Sequence, residues 1–334
     1  MKTTSTIVSL LVVSRASAFS TPSILTEPTL TKAQVRSPIL TPSRVRGLKA
    51  SSTTALPTEE STPIPSKALF SLKTKLGYIN PYGVYYGLVA IALGIPWLLA
   101  LTLCQLFYKV TGGKIDKFRR MPIFFSHVWG VLLMRLTGCY PKIEGKEKLE
   151  NFYKENRAAM FVANHNSWMD IPFLGGTIGW RNYKIVAKKE LEKVPALGKS
   201  ISCGGHVMVD RANRRSQLMT LKAGMQWLKD GIHLCTFPEG TRSKSGRLLS
   251  FKNGAFKMAH KQGSPIIPIS IVGTGKAHPY NYIFPFKSTR KIGKVVVHDP
   301  IESNDKTEGE LAKAVRQSII DGLPEEQRPS NEDD

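Results

Sequence analysis

A histidine and an aspartate five residues apart are the clearest sign of chemistry in this 334-residue chain. His165 follows the run 158–163, which is continuously apolar, as interior strands of α/β sheets are. Asp170 stands two residues before Pro172, and a helix accepts proline only in its first turn. Residues five apart in one helix lie about 140° apart around its axis, so the two side chains can meet only across a turn. In such a pair the carboxylate fixes the imidazole tautomer and leaves the other ring nitrogen free as a base.

Considered alone, this pattern more often reflects a histidine at a strand end and an aspartate that caps the next helix. Later stretches favour chemistry, because they also place polar residues where apolar runs end. Lys188 follows one such run, and residues 205–211 end in Asp-Arg. Residues 264–270 hold two prolines three positions apart, which suits the entrance of a strand or the edge of a sheet. The run 232–237 leads into Pro238, Glu239, Gly240, Thr241 and Arg242.

Together these stretches resemble the sequence blocks of the glycerolipid acyltransferase family, whose members include 1-acylglycerol-3-phosphate acyltransferases. The blocks are Asn-His-x4-Asp at 164–170, Gly-x4-Asp-Arg at 205–211, Phe-Pro-Glu-Gly-Thr-Arg at 237–242 and the proline-bearing strand at 265–270. The resemblance covers roughly residues 140–300. It implies acyl transfer from a thioester to a hydroxyl, with His165 as the general base and Asp170 as its orienting partner. The implied donor is acyl-CoA or acyl carrier protein, and no cofactor is predicted.

The resemblance also implies a phosphorylated lipid acceptor, lysophosphatidic acid, whose sn-2 hydroxyl is esterified to give phosphatidic acid. Arg242 follows a short stretch containing Gly240 and suits a bidentate contact to phosphate. Glu239 is expected to bind acceptor hydroxyls or to orient Arg242. Another lysophospholipid, such as lysophosphatidylglycerol, and glycerol 3-phosphate are alternative acceptors. The predicted substrate-binding residues are Glu239, Gly240, Thr241, Arg242, Arg211 and Lys188.

Two functions of other classes compete with this prediction. A metal-dependent hydrolase would use His165 and Asp170 as ligands, but no third or fourth ligand stands at a recognisable spacing, so no metal is predicted. The net charge of +22 also fits a membrane-anchored protein that binds anionic lipid or nucleic acid. Its basic residues are spread out, whereas nucleic-acid grooves interleave them with aromatic residues, so no nucleic-acid partner is predicted. The separated cysteines Cys104, Cys139, Cys203 and Cys235 indicate buried thiols.

The amino-terminal third indicates delivery to a membrane. Residues 1–18 combine a lysine, a short apolar core and an Ala-x-Ala site, as signal peptides do. Residues 19–66 are rich in Ser, Thr, Pro and basic residues and resemble a plastid transit peptide, as in the two-part leaders of algae with secondary plastids. Residues 78–108 carry no charge and are long enough to cross a bilayer. We predict a plastid envelope membrane, with the endoplasmic reticulum as the alternative; a buried helix pair is the alternative to membrane embedding.

These features predict five segments in an α/β fold. The fold class is a mixed β-sheet covered by helices, with an N-terminal membrane-embedded helical segment. The segments are a signal peptide at 1–18, a disordered leader at 19–66, a membrane-embedded helical hairpin at 67–138, an acyltransferase domain at 139–300, and a C-terminal helix with an acidic tail at 301–334. The partners expected are membrane lipids, lysophosphatidic acid and the acyl donor.

Overall fold

The computed structural model describes residues 70–210 and 213–330. The predicted signal peptide and transit-like leader, at 1–18 and 19–66, lie outside these residues, and so do Arg211 and the last four residues.

Nine strands and nine α-helices make up the described part of the chain. The strands are β1 Leu72–Thr74, β2 Gly77–Ile79, β3 Lys142–Glu144, β4 Met160–Ala163, β5 Tyr183–Lys188, β6 Val207–Val209, β7 His233–Thr236, β8 Ile266–Val272 and β9 Lys294–Val297. The helices are α1 Pro81–Thr111, α2 Arg120–Leu136, α3 Lys146–Lys154, α4 Asp170–Ile178, α5 Leu197–Gly204, α6 Arg214–Lys229, α7 Gly254–Gln262, α8 Thr274–Ala277 and α9 Glu308–Gly322. Short 3₁₀ helices cover Lys189–Lys193 and Glu325–Gln327.

A seven-stranded sheet of order β3-β9-β8-β4-β7-β5-β6 forms the centre of the fold. The strands from β8 to β6 run parallel, while β9 pairs with β8 in the antiparallel sense. This confirms the mixed sheet covered by helices. Strands β4 and β7 are buried along their whole length, which explains why their sequences are apolar without alternation. Because β8, β4 and β7 are parallel neighbours, the loops that follow them meet at one edge of the sheet.

The two prolines near β8, for which the sequence suggested a strand entrance or a sheet edge, take different places in the fold. Pro265 stands before the strand, where its carbonyl accepts a hydrogen bond from the Met160 amide at 3.0 Å. Pro268 lies inside β8, in the middle of the sheet, so the expectation of a sheet edge is wrong for it. The antiparallel ladder to β9 begins only at Ile269, which means that Pro268 sits just beyond the paired stretch on that side.

Local sequence signals fix the ends of the outer helices. The side chain of Asn80 accepts from the Gly83 amide at 2.8 Å at the start of α1, and Gly112 ends that helix with a φ of 63°. Thr307 and Glu310 form a capping box at the start of α9. At the start of α6 the side chain of Asn213 accepts from the amides of Arg215 and Ser216.

Helices α1 and α2 form an antiparallel hairpin that packs against the sheet domain. The Tyr85 hydroxyl donates to the Leu136 carbonyl at one end, and the Tyr108 hydroxyl donates to Asp116 near the other. Between them the indole rings of Trp97 and Trp129 stack with centroids 4.7 Å apart. Helix α1 is long and apolar enough to cross a membrane, and an 18-residue stretch of it has a mean hydropathy of 2.2. Exposed apolar side chains of the hairpin include Leu88, Ile95, Leu99, Leu103, Leu106, Val110, Phe124 and Leu132.

The four cysteines are buried free thiols, as the sequence indicates. Cys104 on α1 and Cys203 on α5 belong to one small apolar cluster that fixes the hairpin to the domain. Cys139 and Cys235 lie in the main core beneath the sheet. Burial raises the pKa of the Cys235 thiol, which keeps it protonated and inert.

Candidate active site

The turn between β4 and α4 brings His165 and Asp170 together. Asp170 is the first residue of α4, and its Oδ2 atom accepts the amides of Asn166 and Ser167 at 2.6 and 2.7 Å. These bonds close the turn, because the carboxylate reaches back and satisfies two buried backbone amides of the loop that precedes the helix. The same Oδ2 atom lies 2.8 Å from His165 Nδ1. The pair therefore meets as the sequence predicts.

The hydrogen bonds decide which nitrogen of His165 can act as a base. An ionised carboxylate only accepts hydrogen bonds, so the Nδ1 of His165 carries the proton that it donates to Asp170. The Nε2 atom is then the unprotonated nitrogen. The ring stacks on Phe237 with centroids 4.1 Å apart and planes inclined by 17°, which fixes its orientation. Its side chain is 16% exposed, so a substrate hydroxyl can reach it.

The backbone of His165 is bound to the neighbouring loops. Its amide donates to Glu239 Oε1 at 2.6 Å, and its carbonyl accepts from the Ser243 amide at 2.9 Å. One residue earlier, the Asn164 side chain exchanges two hydrogen bonds with the backbone of Ile271, at 2.9 and 2.7 Å. The loops after β4 and β7 and strand β8 are thus joined through residues 164 and 165. This arrangement holds the imidazole in place without help from a ligand.

Glu239 is a buried carboxylate whose contacts are with the protein backbone. Its Oε2 atom accepts from the Leu249 amide at 3.0 Å, in addition to the bond from His165. Burial raises the pKa of Glu239 to about 8, against the effect of the two amide donors. Gly240 follows with a φ of 72°, a conformation that favours glycine and lets the chain leave β7 sharply. The roles of Glu239 and Gly240 in substrate binding stay predictions.

Arg242 lies at the same edge, between two aromatic rings. Its guanidinium carbon is 5.1 Å from the ring centres of both Trp168 and Tyr280. The ammonium of Lys244 lies 5.5 Å from the Tyr280 ring. Burial lowers the pKa of Arg242, and the negative charge of Asp170 opposes that effect, so the two groups lie within electrostatic range. The edge therefore combines a base with a restrained cation that suits phosphate.

The remaining predicted residues are distributed around this edge. Thr241 is exposed beside Arg242, and Lys188 is exposed at the end of β5, next to β7 in the sheet. Arg211 lies outside the described residues, so its place relative to His165 stays a prediction. Sequence reasoning missed Trp168, Tyr280 and Lys244. Trp168 lies inside the first block, but nothing in the spacing of Tyr280 relates it to Arg242.

Comparison with known proteins identifies the family. A family model described as Acyltransferase matches residues 141–272. A Chlamydomonas reinhardtii protein named 1-acyl-sn-glycerol-3-phosphate acyltransferase is 30% identical over 282 residues, which cover 83% of this chain and 77% of that protein. The chain belongs to the acyltransferase family. This agrees with the resemblance carried by the four sequence blocks.

Two further comparisons, one with a sequence and one with a solved structure, agree with this family. The Arabidopsis thaliana protein named 1-acyl-sn-glycerol-3-phosphate acyltransferase LPAT1, chloroplastic, is 36% identical over 192 residues, which cover 56% of this chain and 50% of that protein. The solved structure of the 1-acyl-sn-glycerophosphate (LPA) acyltransferase PlsC from Thermotoga maritima matches with a TM-score of 0.57 and 26% identity. That match covers 72% of this chain and 95% of the other. The fold of the acyltransferase is therefore that of PlsC.

Within residues 70–210 and 213–330, no group of three or more His, Cys, Asp or Glu side chains is placed to hold a metal. The chemistry that the described edge supports is proton transfer by His165 beside a site for an anionic group.

Proposed function

We propose that this acyltransferase esterifies the sn-2 hydroxyl of 1-acyl-sn-glycerol 3-phosphate with a fatty acyl thioester, giving phosphatidic acid. The observation that carries the proposal is the His165–Asp170 pair, 2.8 Å apart, at the same edge as the aromatic-flanked Arg242. The names of the Chlamydomonas and Arabidopsis relatives and of the PlsC structure support the same acceptor.

The reaction needs a base and no covalent intermediate with the enzyme. His165 Nε2 removes the proton of the acceptor hydroxyl as its oxygen attacks the thioester carbonyl carbon. Asp170 stabilises the imidazolium that forms and keeps its Nδ1 proton in place. When the tetrahedral intermediate collapses, the carbon–sulfur bond breaks, and the leaving thiolate takes the proton from His165. The ester and the free thiol are the products, and His165 is again neutral.

Arg242 supplies recognition of the acceptor phosphate. The rings of Trp168 and Tyr280 restrain the guanidinium, so less side-chain entropy is lost when its N–H groups bind phosphate oxygens. Lys244, beside the same ring, adds a second positive charge. A phosphate held here lies at the same edge of the sheet as His165, because Arg242 and His165 follow the paired parallel strands β7 and β4. The oxygen of the sn-2 hydroxyl is three bonds from the ester oxygen that joins the phosphate to glycerol, so a bound phosphate brings this hydroxyl towards His165.

The helical hairpin is our proposed membrane-binding element. It carries a row of exposed apolar side chains that water disfavours. The middle of α1 also contacts polar residues of the domain, since the Lys199 ammonium donates to Thr102 at 2.6 Å. A helix fixed along its length to the domain suits a hairpin that lies in the bilayer surface with its apolar face inward. The proposal extends to plastid delivery, which the name of the chloroplastic Arabidopsis relative supports, and an envelope membrane as the destination stays a prediction.

The test is an assay of the full-length protein in detergent that crosses acyl-CoA and acyl carrier protein donors with three acceptors. We expect phosphatidic acid from lysophosphatidic acid, and little product from glycerol 3-phosphate or lysophosphatidylglycerol. The His165→Ala variant should form no product, whereas His260→Ala, on α7, should match wild type. Product mainly from another acceptor would refute the proposed substrate, and activity of His165→Ala would refute the base. No product from any pair would favour a non-enzymatic lipid-binding protein.

A further inference from the structure

A cluster of buried polar atoms lies behind the catalytic pair. Among the described residues, Asp170 Oδ1, Asn166 Oδ1, Thr274 Oγ1 and His278 Nδ1 have no hydrogen-bond partner in the protein. None of these four residues is more than 7% exposed. Buried polar atoms in folded proteins are nearly always hydrogen-bonded, to protein or to ordered water. Four such atoms in one region of the core therefore require a common explanation.

The topology places the four atoms on adjoining loops. Asn166 and Asp170 follow β4, while Thr274 and His278 follow β8, which is the neighbouring strand. The two loops touch, because a Cβ added to Gly275 would lie 3.3 Å from the Cβ of Asn166. Thr274 and His278 are four residues apart around the short helix α8, a spacing that places side chains on one face. Burial lowers the pKa of His278, and the negative charge of Asp170 acts in the opposite direction.

The protons of the cluster can be assigned from its contacts. The Nε2 atom of His278 lies 3.1 Å from the Tyr282 carbonyl, which only accepts, so Nε2 carries a proton. Burial lowers the pKa of His278 to about 4, and the ring is therefore neutral at physiological pH. Its Nδ1 atom is then an acceptor. The cluster holds three acceptors, on Asp170, Asn166 and His278, and a single donor, the Thr274 hydroxyl.

One water molecule can satisfy three of these four atoms, because it offers two donors and the cluster holds three acceptors, of which Asn166 Oδ1 is left over. The water can donate one hydrogen bond to Asp170 Oδ1 and one to His278 Nδ1 while it accepts the hydroxyl of Thr274. A cation matches less well, because Asp170 is the one anionic group among these four residues and the positive charge of Arg242 also acts on His278.

We propose that a buried water molecule joins Thr274 and His278 to Asp170 Oδ1, and that these two residues position the catalytic carboxylate. The inference rests on the proposed role of the His165–Asp170 pair. The Oδ2 atom of Asp170 accepts three hydrogen bonds, one from the His165 ring and two from the amides of Asn166 and Ser167. The water supplies the matching donor on Oδ1 and prevents the carboxylate from rotating away from His165. Thr274 and His278 are positioning residues, because they act on the substrate only through Asp170.

Paired variants of Thr274 test the proposal in the full-length enzyme. Thr274→Ser keeps the hydroxyl, and Thr274→Val keeps the shape but removes it. We expect Thr274→Val to lower kcat about tenfold with the KM for lysophosphatidic acid within about twofold, since the loss concerns an interaction of the transition state. Thr274→Ser should stay within about twofold of wild type in both constants. The matched control is Thr177→Val, which alters a buried threonine of α4 whose hydroxyl bonds the Phe173 carbonyl.

The possible outcomes separate this inference from the proposed function. Equal kcat values for Thr274→Val and Thr274→Ser, with His165→Ala inactive, would overturn the water and leave the base intact. An active His165→Ala would instead remove the base itself. A crystal structure of the wild-type enzyme gives an answer even if Thr274→Val does not fold. We expect density for a water about 2.8 Å from Asp170 Oδ1, and a dry cluster would overturn the inference.

Discussion

The charge of Asp170 is the part of the mechanism that a single substitution isolates best. In Asp170→Asn the amide oxygen can take the place of Oδ2 and still accept from His165 Nδ1 and from the Asn166 and Ser167 amides. The new NH₂ group would then replace Oδ1 and face the acceptors of the buried cluster. The turn and the imidazole tautomer are therefore preserved, while the negative charge is lost.

The size of the effect follows from the distance between the two groups. Asp170 Oδ2 lies 2.8 Å from His165 Nδ1, which places the centres of charge about 4 Å apart when the imidazolium forms. With an effective dielectric constant of about 20, their attraction is worth about 4 kcal/mol. The two backbone amides on Oδ2 share part of this charge, so we expect a loss of about 3 kcal/mol in the transition state, or about 100-fold in kcat. KM for the acceptor should change little, because the imidazolium is absent from the ground state.

Steady-state kinetics of the purified full-length variants in detergent measure this effect. The control is Asp230→Asn at the end of α6, where the carboxylate accepts from the Gln226 side chain at 2.9 Å. Thermal unfolding of both variants shows whether the fold is retained. A folded Asp170→Asn enzyme with a kcat within about threefold of wild type would refute the assignment of Asp170 as the partner of the base.

Two further predictions concern other parts of the molecule. Arg242→Lys should raise KM for lysophosphatidic acid about tenfold or more with a smaller change in kcat, because an ammonium cannot bind phosphate in a bidentate manner between two rings. Lys287→Arg is the control. An unchanged KM in Arg242→Lys would contradict the phosphate site. Lys184 is fully buried, its ammonium donates to the Phe118 carbonyl at 2.8 Å, and burial lowers its pKa to about 7. In the unfolded chain the lysine keeps its proton up to about pH 10, so between about pH 7 and pH 10 unfolding takes up a proton. The contribution of Lys184 to the free energy of unfolding therefore increases as pH rises through this range. The free energy of unfolding, measured with urea at pH 7 and at pH 9, should rise with pH in wild type and rise less in Lys184→Met. An equal rise in the two proteins would contradict the prediction.

The residue types and their order along the chain already determined the fold class and the family. Continuous apolar runs indicate buried strands, because a strand covered on both faces needs no polar side. The turn signals after residue 163 required His165 and Asp170 to meet, since the bond between them is local. The wide spacing of the cysteines indicated buried thiols, and the structure confirms this. The four blocks were sufficient for the family, because each block is a short contiguous segment that is visible in the sequence before the fold is known.

The order of the strands in space, by contrast, was decided by the tertiary structure. Strand β8 enters the sheet between β4 and β9, which places Pro268 in the interior and brings Thr274 and His278 behind Asp170. Tyr280 meets Arg242 for the same reason, at a separation of 38 positions in the chain. Contacts of this kind depend on which strands are neighbours, and strand order follows from packing the whole core. A local sequence pattern reports only the conformation of the segment that contains it. The sequence could therefore predict the contact of His165 with Asp170, which lies within one turn, but not the residues of other loops that surround the pair.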